Sequence, residues 1–275
     1  MSKDKALVLV RGGGDLATGV ALRLYRAGIK VVITELAQPL AVRRTVSFAE
    51  AVYAGEHSVE GVRARLVKRE QVSAALDADE IPVLVDPEAE ILLSPFHFPV
   101  VVDARLLKQP PAPLPISVPL HIGLGPGFHA GRNCHAVIET RRSHTLGRVF
   151  WEGPTQPDSG QPEGDPRRVL RAPNDGLVVA YAKIGDHLEE GQLIAEVQSE
   201  TETQKVLSPF KGVLRGLIHP GVRVAKGLKI GDVDARNDPS ACFLVSDKAL
   251  AVGGGALEAI LSKPEIRKQI FDRGG

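Results

Sequence analysis

The sequence predicts an α/β fold in two parts, a Rossmann-like N-terminal domain and a smaller all-β domain behind it. Three observations predict this. Residues 6–10 are wholly apolar and rich in Val and Leu, and they run straight into Arg11-Gly12-Gly13-Gly14. Residues 16–27 then set Leu16, Val20, Leu24 and Ala27 on one helical face, with arginines between them. Past residue 170 the chain repeats its own landmarks at a constant spacing.

A short apolar run of that kind suits a strand buried on both faces of a parallel sheet. The periodic segment reads as a helix, and Gly28 suits its C-terminal cap. Residues 31–33 read as the next strand, 41–53 as a helix, 71–76 as part of another, and 83–85 and 100–102 as further strands. Strands alternating with helices point to a doubly wound sheet over residues 1–153. Residues 154–168 hold Gly, Pro, Gln, Asp and Glu and almost nothing apolar, as in an exposed linker. In the repeat, Pro173 answers to Pro209, Gly176 to Gly212, Gly185 to Gly221, Gly191 to Gly227 and Val197 to Val233, each pair 36 residues apart. Neither copy would bury its apolar face alone, so the two are expected to pair in one β domain over 169–238. Residues 239–275 read as a tail, with a strand at 242–245 and a short helix at 256–261, that returns to the first domain.

Composition excludes several classes of function. Lys plus Arg number 34 against 33 Asp plus Glu, and aromatic residues are 4% of the chain. That balance gives no reason to expect nucleic acid or an anionic membrane as partner. No apolar stretch approaches the roughly 18 residues of a membrane span. The N-terminus lacks the marks of a signal peptide. The two cysteines, Cys134 and Cys242, form no CxxC pair, so a reduced cytoplasmic protein is expected. A homo-oligomer is left open.

The glycine turn carries the chemistry. Gly12, Gly14 and Ala17 make a G-x-G-x-x-A pattern. The first glycine permits the turn, the second lets backbone approach a pyrophosphate, and the small third residue lets helix pack on strand. Gly13, Asp15 and Leu16 complete the turn and offer helix N-terminal N–H groups to phosphate oxygens. Glu35, at the end of the second strand, is placed to accept from ribose hydroxyls and to disfavour a 2′-phosphate. Arg43 and Arg44 stand near in sequence and weigh the other way. The ligand expected is therefore a nucleotide or dinucleotide, NAD-like in the simplest case. A second glycine loop, Gly123-Leu124-Gly125-Pro126-Gly127, follows an apolar run at 118–122. Its Gly125 and Gly127 would face the first turn and complete a pocket, or serve only as a tight turn.

Other candidates favour structural readings. His121, His129, His135 and His144 form a loose group beside Cys134, without ligand spacing, so no metal site is expected. Asp103 and Arg105 follow a buried strand and read best as a salt bridge. No nucleophile elbow, phosphate-binding Walker loop or HExxH occurs, and no catalytic set is visible. Whether the chain is an enzyme is open.

The repeat resembles the biotinyl/lipoyl family of barrel-sandwich hybrid domains, through Ala-Pro-x-x-Gly-x-Val at 172–178, Gly185-Asp186, Gly191-Gln192 and Ser-Pro-x-x-Gly-Val at 208–213. That resemblance implies a carrier lysine at the hairpin tip between the two halves. Here Thr201 falls at the carrier position and Lys205 is offset, so no covalent biotin or lipoate is expected. Nearly the whole chain resembles accessory proteins that mature selenium-dependent molybdenum hydroxylases, the YqeB type. The resemblance rests on VLVRGGGDLATGVALRL at 8–24, ELAQPLAVRRTVSFAEAVYAGE at 35–56, VVVDARLLK at 100–108 and IGLGPGFHAG at 122–131. VIETRRSHTLGRVFWEG at 137–153, KIGDVDAR at 229–236 and SDKALAVGGGALEAIL at 246–261 extend it. Ser143 stands where the family pattern has glycine. The resemblance implies a molybdenum hydroxylase as client and a nucleotide or molybdopterin dinucleotide as ligand. The alternatives are an NAD-dependent oxidoreductase and a non-catalytic scaffold.

Overall fold

The computed structural model describes residues 6–160 and 164–271. The chain divides into two compact units: one runs to Pro39 and takes in Phe48–Asp158 and the chain from Val245, the other takes in Leu40–Ser47 and Ser159–Leu244.

In the first unit, β1 (Val8–Arg11) leads through the glycine turn into α1 (Asp15–Arg26) and β2 (Val31–Glu35). Then follow α2 (Ala51–Ala54), β3 (Glu56–Val59), β4 (Val62–Leu66), α3 (Val72–Asp77), β5 (Ile81–Val85), β6 (Val100–Asp103) and β7 (Leu120–Leu124). The strands β8 (His129–Ala130), β9 (Ala136–Ile138), β10 (Val149–Phe150) and β11 (Gly153–Pro154) come next, and α4 (Asp247–Leu261) and α5 (Pro264–Phe271) close the chain. Nine strands form one sheet in the order β10-β9-β7-β6-β1-β2-β5-β4-β3. Its inner pairs are parallel, whereas β3 with β4 and β9 with β10 are antiparallel. β1 lies centrally and all of its residues are buried, which is what its unbroken Val/Leu run required.

The second unit carries β12 (Val169–Arg171), β13 (Gly176–Ala180), β14 (His187–Leu188), β15 (Leu193–Gln198), β16 (Thr203–Leu207), β17 (Gly212–Leu217), β18 (Arg223–Val224) and β19 (Lys229–Asp234). They form two four-stranded sheets, β12-β19-β17-β14 and β16-β15-β13-β18, with antiparallel neighbours. Each sheet mixes strands from both copies of the repeat. Inside the first, Asp232, 1% exposed, is met by Arg168, Arg215 and Lys229. Lys205 lies within β16 opposite Glu196, while Thr201 sits in the turn where Ser199 N–H donates to Glu202 O.

These findings correct the expected architecture. The Rossmann-like domain with a barrel-sandwich hybrid domain is replaced by one large mixed sheet with few helices and a β8–β11 pair in the first unit, and by two four-stranded antiparallel sheets in the second. After α1 the crossovers carry helices of only four and six residues, and no helix joins β6 to β7 or β7 to β9. The sequence shows why: Pro110, Pro111, Pro113, Pro115 and Pro119 crowd the first of these connections and remove the donors a helix needs. The helix predicted over 41–53 is also broken. It yields 3₁₀ turns at Arg44–Val46 and Phe48–Glu50 before the short α2. Its Arg43 and Arg44 donate instead to the carbonyls of Ala241, Leu244 and Leu217 in the second unit. Thr45, Val46 and Ser47 have little intrinsic helix preference to resist this. The strand predicted at 242–245 is replaced by a 3₁₀ turn over Pro239–Phe243, capped by Asp238, which accepts from Ser240 N–H. The short helix at 256–261 is the end of the longer α4, started by Ser246 accepting from Ala249 N–H.

α4 packs directly on α1, and glycines make the approach possible. A Cβ on Gly19 would lie 2.5 Å from Ala249 O, and one on Gly253 would lie 2.5 Å from Gly19 O. The neighbouring Gly255 meets Gly147 O in the same way. Gly19 and Gly253 are therefore the helix-contact positions, while Gly255 makes room for the Gly147 loop.

Candidate functional site

β1 ends on Arg11, whose side chain is buried and held between two partners. Its Nη2 donates to Pro87 O at 2.7 Å and its Nη1 lies 3.5 Å from Asp103 Oδ2. Burial lowers the Arg11 pKa from its ordinary value, against the raising effect of Asp103. Asp103 ends β6, directly opposite Arg11, and is 0% exposed. It also receives Arg105 through Nε at 2.8 Å and Nη2 at 2.6 Å. The Asp103–Arg105 pair is thus the salt bridge its sequence position suggests. Arg11 is the residue sequence reasoning missed, although an arginine ending a buried strand before a glycine turn was a signal.

Gly12 turns the chain at φ +92° and donates to Thr34 O at 2.7 Å. Gly13 N–H donates to Glu35 Oε2 at 2.6 Å, and Leu36 N–H to Glu35 Oε1 at 2.7 Å. Burial pushes the Glu35 carboxyl up, opposed by those two backbone donors. Each carboxylate oxygen keeps a further lone pair. Gly13 is committed to packing: Ala49 N–H donates to its carbonyl at 2.8 Å, and a Cβ on Gly13 would lie 2.8 Å from Ala49 N. Gly14 differs. It caps α1 with no side-chain cap hydrogen bond, and among the described residues a Cβ on it would meet nothing within 4 Å. Asp15 and the buried Leu16 and Ala17 form that first turn.

The second glycine loop leaves the same end of the sheet, two strands away from β1. Gly125 stands at φ +100°, its Cβ position 3.3 Å from Leu106 Cα. Gly127 donates to Leu107 O at 2.7 Å, and its missing Cβ makes room for the carbonyls of Gln109 and Leu107. Both glycines thus pack on the connection after β6.

Of the histidines, the structure joins two. His121 N–H donates to His135 Nδ1 at 2.8 Å, whereas His129 N–H is taken by Asn133 Oδ1. No group of three His, Cys, Asp or Glu side chains suited to a metal occurs among the described residues. Burial lowers the His121 pKa to about 4, and burial raises the Cys134 thiol to about 11. For His121 the folded value lies below the unfolded one. Unfolded chains therefore take up the proton first as pH falls, and stability is lost from 6.5 towards about 4. Chemical denaturation should show a loss of about 2 kcal/mol between pH 6.5 and about 5 that His121→Gln removes.

No family model matches the chain. Over 262 residues it is 45% identical to a protein of Escherichia coli (strain K12) described as uncharacterized protein YqeB. Over nearly all of its length the chain is similar to YqeB. The match covers 93% of this chain and 47% of YqeB, so the chain spans about half the length of that curated relative. Among solved structures, the chain is similar to the product-bound ectoine utilization protein EutE (DoeB) from Ruegeria pomeroyi, at 11% identity and TM-score 0.27, covering 84% of this chain and 85% of that one. It is similar also to an aspartoacylase family protein from Mesorhizobium loti, at 11% identity and TM-score 0.28, covering 83% and 84%. A succinylglutamate desuccinylase/aspartoacylase from Rhodobacter sphaeroides matches over 31% of each chain, at 16% identity and TM-score 0.25. No helix among the described residues is long and apolar enough to cross a membrane.

Proposed function

We propose that this chain is an accessory protein in the maturation of a selenium-dependent molybdenum hydroxylase, and that it holds a nucleotide or a nucleotide-containing molybdenum cofactor at the Gly12–Ala17 turn. The observation that carries the ligand is the open start of α1: a glycine cap without a side-chain cap hydrogen bond and, among the described residues, with open space where a Cβ would stand. The maturation role rests on the family resemblance of the long sequence strings and on the similarity to YqeB.

The residues fit such a group. The N–H groups of the first turn of α1 would meet phosphate oxygens, favoured by the positive end of the helix dipole. Gly14 would let the phosphates approach the backbone. Glu35, already oriented by the N–H groups of Gly13 and Leu36, would accept from ribose hydroxyls with its remaining lone pairs. Asp15 sets the limit on charge, since its carboxylate stands in the same turn. The bound cofactor would bring the metal chemistry, and this chain's part is to bind and orient it for the client enzyme.

Calorimetry with NAD, ATP, CTP and molybdopterin dinucleotide tests the reading. At least one should bind saturably, and Gly14→Val should abolish that binding. The same variant should unfold within about 1 kcal/mol of the parent, because the space beside Gly14 accepts the side chain and only cap preference is lost. Absence of binding by all four, or undiminished binding by Gly14→Val, would sink the ligand assignment.

A further inference from the structure

The first unit holds a second site that shares no residue with the glycine turn. A cavity of about 630 Å³ opens beside β7, within the range of about 300–1,000 Å³ typical of small-molecule pockets. Its apolar wall comes from the proline-rich connection, with Pro113, Ile116 and Val118. Its polar wall comes from His121, Arg132 and His135, and Trp151 completes the lining. No acidic side chain lines it among the described residues.

The polar wall has unspent capacity. Arg132 is exposed, and no ion pair or hydrogen bond engages its guanidinium among the described residues. A second cation, Lys263, sits 4.0 Å from the centroid of the Trp151 ring. His121 is 8% exposed and lines the cavity, and its buried Nε2 has no hydrogen-bond partner among the described residues. Its ring is fixed edge-on to Phe128, with 6.0 Å between centroids. His135 spends Nδ1 on His121 N–H, which leaves its Nε2 as the donor when the ring is neutral.

We infer that this cavity binds a small aromatic or heteroaromatic acid, its anionic group on Arg132, its ring among Pro113, Ile116 and Trp151, and its polar edge towards the two histidines. The charge sign follows from a free guanidinium in a lining without carboxylates. The flat apolar body follows from the proline wall and the indole. Arg132 would contribute a charge-assisted, bidentate contact of the kind that selects carboxylates and phosphates.

Trp151 is the chain's single tryptophan, so its fluorescence reports on this cavity alone. The probes are benzoate, nicotinate and quinoline-2-carboxylate, each with its neutral amide. At least one acid should change the Trp151 emission saturably, and should bind about tenfold or more tighter than its amide. Arg132→Gln should remove that preference while leaving the amide's affinity unchanged. Ser117→Phe, at an exposed lining position, should weaken acid and amide together by filling the space. Failure of all three acids to bind, equal binding of acid and amide, or an unchanged preference in Arg132→Gln would each overturn the assignment.

Discussion

Asp103→Ala should destabilise the first unit by about 3–5 kcal/mol, the cost of leaving a buried charge without its partner. Arg11 is 3% exposed and cannot reach water when its counter-charge is removed. Pro87 O would remain as its one neutral acceptor. Arg105, by contrast, is partly exposed and would turn outward at little cost. The loss should therefore be suppressed by neutralising the stranded cation. Arg11→Met with Asp103→Leu should recover most of the stability, since well-packed apolar pairs replace buried ion pairs with little penalty. Chemical denaturation of the single and double variants measures this coupling. Additive losses would show that Arg11 and Asp103 do not depend on one another.

Two adjacent glycines in α4 should respond to alanine with opposite signs. Gly253→Ala puts a methyl group 2.5 Å from the carbonyl oxygen of Gly19, which is backbone and cannot move aside without separating α4 from α1. Overpacking of that kind costs about 3 kcal/mol. Gly254→Ala meets nothing within 4 Å, and there the better helix propensity of alanine should stabilise by up to about 1 kcal/mol. Thermal or denaturant unfolding of the two variants separates close packing from propensity. Equal shifts in the two would remove the helix-contact account of Gly253.

The two glycine sites show what the sequence could and could not convey. The β1–turn–α1 unit was legible because its signals are local: an apolar run, three glycines and a helical period, ending at Arg26 where periodicity placed the end near residue 27. Glu35 was legible as the carboxylate ending the second strand. That both of its oxygens are already engaged by backbone N–H groups was not, because this depends on how closely β2 approaches the turn. The Arg11–Asp103 pair joins residues 92 apart, and only the pairing of β1 with β6 brings them opposite each other. The fold class itself needed correction for a similar reason. Strand runs were visible, but helices were inferred between them where prolines and tertiary contacts impose loops. Residues 40–47 illustrate the tertiary part, since they sit with the second unit and leave the helical pattern of 41–53 unrealised. Gly253 reads as a helix breaker in isolation, and its meaning comes from α1.

If the open start of α1 holds a nucleotide-bearing ligand, native mass spectrometry of the protein purified without denaturation should reveal it. A non-covalent adduct with the mass of a nucleotide or pterin dinucleotide is expected, present in the parent and lost in Gly14→Val. A parent protein that carries no such adduct and gains none when incubated with nucleotides or molybdopterin dinucleotide would contradict this ligand assignment.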